Sequence, residues 1–206
     1  MRTTHRNAWT ETLGPGAVVG AHDLTAVSGA QIAVPDGARL THLQFRRFAG
    51  CPICNLHLQS VVRRHAEIAQ AGIREIVVFH SPAEELRKHV TDLPFAVVAD
   101  PAKRLYVEFG VESSYRALLS PRAWAPTARA ILRSTWAILR GRERPPSRRP
   151  LGGRLGLPAD FLIAPDGRVL AAKYGEHAYD QWPVDHLLEL AAQTSLPSGP
   201  RPEKAS

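Results

Sequence analysis

Apolar residues fall along this chain in short runs, then at helical spacing, then in short runs again. Residues 24–27 and 31–34 read as two short strands around Ser28-Gly29, the pattern of a hairpin, and Asp36-Gly37 marks a turn after them. Residues 40–48 predict a strand in which Leu43 and Phe45 are apolar, followed by Arg46 and Arg47. Cys54, Leu58, Val61, Val62, His65, Ile68 and Ala69 then recur on one helical face. One long helix is expected there. It would open just after Cys51 on Pro52, which suits a first helical position, and end at Gly72. Residues 73–79 form a compact apolar run, the signature of a strand buried in a sheet. Ser81-Pro82 with Glu84 and Glu85 opens a second helix running to about Thr91. Residues 95–99 read as another buried strand, and 102–109 as a short helix closed by Gly110.

The chain then changes character. Residues 115–140 are helical and basic, and 141–150 form an Arg/Pro linker. Residues 161–164 and 168–172 flank Pro165-Asp166-Gly167, a hairpin with a glycine turn, and a last helix starts at about Pro183. Strands alternating with helices define an α/β fold. The expected organisation is a single domain over residues 14–194. Residues 113–150 form a helical, basic insertion, and 1–13 and 195–206 are flexible tails.

Composition changes this picture in two places. Hydrophobic residues are 44% and charged residues 22% of the 206, a globular balance, and no run reaches the roughly 18 apolar residues of a membrane span. The first twenty residues lack the apolar run of a secretion signal, so the expected compartment is cytoplasmic. The net charge of +7 is confined to one segment. Residues 113–150 hold nine arginines, no lysine and one acid, Glu143. A general nucleic-acid surface is therefore not expected. Within the insertion, Ile131, Leu132, Thr135, Ile138 and Leu139 share one face, and Arg129, Arg133, Trp136 and Arg140 line another. Such a helix packs its apolar side on the domain, forms a lid or acidic-substrate pocket, or touches an anionic membrane surface.

The candidate chemistry lies in the only two cysteines, Cys51 and Cys54. A two-residue spacing staples nothing, so the pair reads as redox-active or metal-binding. Cys51 falls at a helix N-terminus, where free N–H groups and the helix dipole favour a thiolate. Arg46 and Arg47 lie just upstream. Cys54 sits one turn later on the apolar stripe, so Cys51 is expected to be exposed and reactive and Cys54 shielded. Two rival readings stay open: a pair of ordinary core residues, and a metal clip in which His57 adds a third ligand and His42, His80 or His177 a fourth. An iron–sulfur cluster would need cysteines from two chains. His65 is expected to be a packed core histidine. His57 could tune the pair, His80 is a weak candidate near the sheet edge, and Tyr174 and His177 belong to a surface loop.

The stretch FRRFAGCPIC, the long helix after it and IREIVVFHSPAEELRKHV resemble the peroxiredoxin-like proteins related to the AhpC/TSA antioxidant enzymes. LGLPADFLIAPDGRVL is similar to the part of the thioredoxin superfamily where a cis-proline precedes a strand and hairpin. The resemblance implies a thioredoxin-like fold: a central mixed sheet flanked by helices, with an N-terminal hairpin. It implies that Cys51 is the nucleophile, Cys54 the resolving cysteine, and Pro158 the cis-proline facing them. Arg47, Pro52 and Pro158 are then neighbours of the site. On the residues alone, Pro158 also reads as a strand opener. The substrates implied are a small peroxide or a disulfide, the reductant a thioredoxin-like or other dithiol, with no bound cofactor required. Three positions depart from true peroxiredoxins. Phe48 stands where they carry Thr or Ser, and Gln44 where they carry a proline. Pro158 stands near the place of their distal arginine, for which Arg154 or Arg47 could substitute. The alternatives are therefore a protein thiol–disulfide reductase without peroxidase activity, and a non-enzymatic binding protein.

Overall fold

A computed structural model describes residues 12–90, 93–111, 124–140 and 156–195. Most of both expected tails, residues 113–123 of the insertion, the linker 141–150 and Arg154 lie outside these. The chain begins with a hairpin of β1 (His22–Thr25) and β2 (Gln31–Val34). It continues through β3 (Leu40–Arg46), α1 (Pro52–Arg63), α2 (His65–Gln70), β4 (Ile73–Phe79), α3 (Ala83–Leu86), β5 (Ala96–Ala99) and α4 (Arg104–Glu108). It then passes through α5 (Trp124–Leu139) to β6 (Ala159–Ile163), β7 (Val169–Tyr174) and α6 (Val184–Ser195). Five strands form one mixed sheet in the order β5-β4-β3-β6-β7, parallel from β3 through β4 to β5 and antiparallel from β3 through β6 to β7.

β3 is central and buried on both faces, which sets the two layers. Leu43 and Phe45 point to one layer, with Ile76, Val78, Ala159, Phe161 and Ile163 from neighbouring strands and Ile32 and Val34 from the hairpin. Phe45, Phe109, Phe161 and Tyr174 meet there edge-on or tilted, with ring centroids 5.1–5.8 Å apart. On the opposite face Leu58 of α1 packs on Val77 and Phe79, while Val61 and Ile68 meet Ile73, Leu162 and the Leu187 face of α6. The hairpin protects the β5 edge: Ala26 bridges Val98, and the Val27 N–H donates to the Val97 carbonyl at 2.8 Å. This is why β1 ends at Thr25, earlier than the sequence suggests, while its start reaches back to His22, which pairs with Val34. Its expected last two residues pair with β5 instead of β2.

The expected long helix is divided. Arg64 leaves helical geometry (φ −112°, ψ 16°), and its N–H bonds the Val61 and Val62 carbonyls, which closes α1. Its guanidinium clamps Glu67 of α2 and Asp185 of α6. The helix after Pro82 is also shorter than expected, ending at Leu86 and passing into turns. The insertion helix is confirmed over Trp124–Leu139 and lies along α1. Its expected apolar face is not covered, however: Ile131, Leu132 and Leu139 are all exposed. Among the described residues no helix is long and apolar enough to cross a membrane.

Candidate functional site

The site forms where β3 hands over to α1. Strand pairing carries the chain to Arg46, and the turn that follows is pinned to the end of β4. There the His80 N–H reaches the Arg47 carbonyl at 3.3 Å, and the Ala49 N–H reaches Ser81 Oγ at 2.9 Å. Gly50 takes φ +71°, and a Cβ there would stand 2.8 Å from the His89 ring, so both conformation and space call for glycine. Cys51 is the N-cap of α1 and Pro52 opens the helix, as expected.

The Cys51 sulfur accepts the Cys54 backbone N–H at 3.5 Å and receives Arg47 Nη1 at 3.9 Å. No disulfide joins the two sulfurs in this structure. The expectation of one exposed and one shielded sulfur is corrected: Cys51 is 2% exposed and Cys54 1%. Phe48 and two residues of the loop after β7, Ala178 and Tyr179, close over the pair. The two thiols titrate as one unit. Burial disfavours charge on both. Against it, the hydrogen bond from Cys51 and the charges of Arg47 and Arg46 bring Cys54 down to about 6. Burial and the charge on Cys54 hold the Cys51 proton well above the ordinary thiol range. One proton thus leaves early, from Cys54, and the remaining one stays on Cys51, which corrects the expectation that Cys51 is the thiol favoured as thiolate.

Pro158 lies at the entry to β6, and the bond before it is not cis. Among the described residues the cis peptide is Val34–Pro35. The Pro158 carbonyl accepts the Gly175 N–H at 2.9 Å and so continues the β6–β7 ladder, in keeping with its reading as a strand opener. The segment still faces the site, because Gly156 lies against His80 and the Arg47 side chain. Tyr174 is not in a surface loop either. It ends β7, and its hydroxyl receives the Leu13 N–H at 2.8 Å and donates to the Phe109 carbonyl at 2.7 Å. His177 does lie in the loop beyond. His65 is half-buried against Phe95, not fully packed.

Beneath the pair lies a group of residues that sequence reasoning did not assemble. His42, Gln44 and Arg46 alternate along β3 and face α1 together with Glu75 of β4 and Asp160 of β6; all five are almost fully buried. His42 Nδ1 is 2.8 Å from Glu75 and its Nε2 3.6 Å from Asp160. Arg46 Nη2 is 3.3 Å from Asp160 and 3.1 Å from His57 Nδ1, and also donates to Gln44. His57, on α1, meets the Trp182 carbonyl at 2.9 Å through Nε2, and the Trp182 N–H donates to Asp160 at 3.1 Å. Burial opposes each charge, but the partners prevail. Arg46 and His42 hold the Asp160 carboxyl at about 2, and Glu75 and Asp160 raise His42 to about 9. Burial and Arg46 push His57 down to about 3, so it is neutral. Two cations therefore face two carboxylates under the helix that carries the thiols. Among the described residues no three His, Cys, Asp or Glu side chains gather as a metal site.

A dithiol at a strand–helix junction over a β5-β4-β3-β6-β7 sheet defines a thioredoxin-fold thiol protein. The family profile of the AhpC/TSA antioxidant enzymes matches residues 60–177, more than half of the chain, and the protein belongs to that family. The match begins within α1, after both cysteines. Solved structures agree on the fold. The peroxidoxin BcpB of Mycobacterium tuberculosis superposes with a TM-score of 0.61 at 16% identity, covering 88% of this chain and 97% of that one. A thiol peroxidase of Chromobacterium violaceum gives 0.58 at 13%, covering 90% of each chain. StoA of Bacillus subtilis gives 0.51 at 15%, covering 85% of this chain and 98% of that one. Curated protein sequences give no match.

Proposed function

We propose that the protein is a thiol-dependent oxidoreductase that reduces a small peroxide through a Cys51/Cys54 dithiol–disulfide cycle. The observation that carries this reading is the Cys51 sulfur at the α1 N-cap, met by the Cys54 N–H and by Arg47. Transfer of the Cys51 proton to the Cys54 thiolate places the negative charge on Cys51, where these donors receive it. The Cys51 thiolate then attacks one peroxide oxygen. The O–O bond breaks, the leaving oxygen takes a proton, and Cys51 becomes a sulfenic acid. Cys54 attacks that sulfur, the S–O bond breaks, water leaves, and an intramolecular disulfide remains. An external dithiol of thioredoxin type returns two electrons and two protons. A reducing compartment such as the cytoplasm suits this cycle.

Burial of both sulfurs favours a small oxidant over a folded protein disulfide. The second reading, thiol–disulfide exchange, draws on Phe48 in place of the Thr or Ser of true peroxiredoxins. The test is stopped-flow oxidation of reduced protein by hydrogen peroxide. Oxidation is expected at least about tenfold faster than for a free thiol at neutral pH. Cys51→Ser is expected to abolish it. Cys54→Ser is expected to keep one oxidation and lose turnover with a thioredoxin-type reductant. Rapid reaction with a small disulfide but not with peroxide assigns the exchange reading. Inertness to both overturns a redox role for the pair.

A further inference from the structure

We propose that the outward arc of α5 is a docking face for the surface of an anionic lipid bilayer. Helical spacing sets Leu132, Trp136 and Leu139 in one stripe, with Ile131 beside it. They are 72%, 52%, 79% and 51% exposed, the largest apolar exposure of any described element. Arg129, Arg133 and Arg140 form the adjoining stripe and are exposed too. Among the described residues none of the three has a carboxylate within ion-pair distance. The Arg140 guanidinium lies 3.3 Å over the Trp136 ring, joining the cationic and apolar stripes at their border.

Charge decides the occupant. Residues 124–140 hold three arginines, Arg129, Arg133 and Arg140, and no acid, so the partner surface is anionic. An apolar stripe bordered by cations, with tryptophan at the boundary, fits the headgroup–acyl border of a bilayer: leucines below, arginines level with phosphates. A nucleic-acid backbone offers those leucines nothing. The helix has 16 residues and no length to span, so it lies in the surface plane. Because α5 lies along α1, docking would bring the dithiol helix close to the lipid surface. Docking does not depend on the peroxide chemistry, since vesicle binding and turnover are separate readouts.

The full chain is tested by co-sedimentation with vesicles of phosphatidylcholine alone or containing about one third phosphatidylserine. Binding is expected with the anionic vesicles, at least about tenfold weaker with neutral ones, and screened as salt rises from about 0.1 to about 1 M. A blue shift in tryptophan emission on binding, lost in Trp136→Phe, is expected to place the contact on α5. Leu132→Gln/Leu139→Gln alters only exposed positions and is expected to weaken anionic binding about tenfold or more with an unchanged circular dichroism spectrum. Arg129→Gln/Arg133→Gln/Arg140→Gln is expected to remove the preference for anionic lipid. Absence of binding to anionic vesicles at low salt overturns the proposal. So does full binding by the leucine variant, which would mark a polyanion patch. Self-association lost in that variant, without vesicle binding, overturns it in favour of a second copy on this face.

Discussion

Asp160→Ala is expected to lower the unfolding free energy by about 3–5 kcal/mol, the range for removing one member of a buried ion pair. The carboxylate faces Arg46 at 3.3 Å and His42 at 3.6 Å, and it also accepts the Trp182 N–H. Removing it leaves the Arg46 guanidinium fully buried beside neutral His57 and without its ion-pair partner, the nearest remaining carboxylate of the cluster, Glu75, being reached only through Gln44. It also frees the Trp182 N–H, leaving the His57 contact to the Trp182 carbonyl as the remaining tie on the loop that closes over the cysteines. Asp160→Asn keeps the volume and an acceptor for Trp182 but gives up the charge, so its cost is expected to fall between wild type and alanine. Urea unfolding of the reduced protein measures both. A cost under about 1 kcal/mol for the alanine variant would show that the carboxylate does not hold the network together.

Stability of the reduced protein is expected to fall steeply below pH 6.5 and to stay nearly flat from there to about pH 9. His57 is the cause of the acid limb. Unfolded, it takes a proton near 6.5, whereas in the fold it stays neutral to about 3. Over that interval the unfolded state binds more protons, and each pH unit costs about 1.4 kcal/mol. Below 3.8 Asp160 adds to the loss, because its folded carboxyl holds its charge to about 2.

On the alkaline side two effects oppose. His42 keeps its proton to about 9 when folded and releases it at 6.5 when unfolded, so its contribution is full below 6.5 and is lost as pH rises through 9. Cys54 is already ionised from about 6 in the fold but only near 9 in the unfolded chain, so its contribution grows over the same interval. The two slopes cancel. A Cys51→Ser/Cys54→Ser variant is therefore expected to show the His42 slope alone, losing up to about 1.4 kcal/mol per pH unit between 6.5 and 9. Urea titrations at about pH 5, 6.5 and 8.5 decide the matter. An equally flat alkaline profile in that variant would mean that His42 is not held charged.

The sheet was legible because its strands are short apolar runs that punctuate a helical period. Ile73–Phe79 needs no tertiary information to be read as a buried strand. The junction at Cys51 was legible for a similar reason: Pro52 and the stripe through Leu58 and Val61 define a helix start locally. The polar layer was not. His42, Gln44 and Arg46 alternate with Leu43 and Phe45, and such alternation ordinarily marks one dry and one wet face. Here α1 and α6 cover the polar face, and only the partners from β4 and β6 make its burial tolerable. Those partners lie 31 or more residues away along the chain. Closure over the cysteines was hidden too, because Ala178 and Tyr179 reach them from the far end of the sequence. On α5 the periodicity marked an apolar stripe but not which stripe would meet α1.

The cationic setting of the dithiol also has an electrochemical meaning. Closing an S–S bond discards a negative charge that Arg47 and Arg46 favour, so electrons are held more firmly in the open pair than in an unperturbed one. The lowered Cys54 thiol thus shifts the couple toward the oxidising side near neutral pH. Such a couple takes electrons from an external dithiol more readily than an unperturbed pair would, which eases the exchange step that reopens the disulfide.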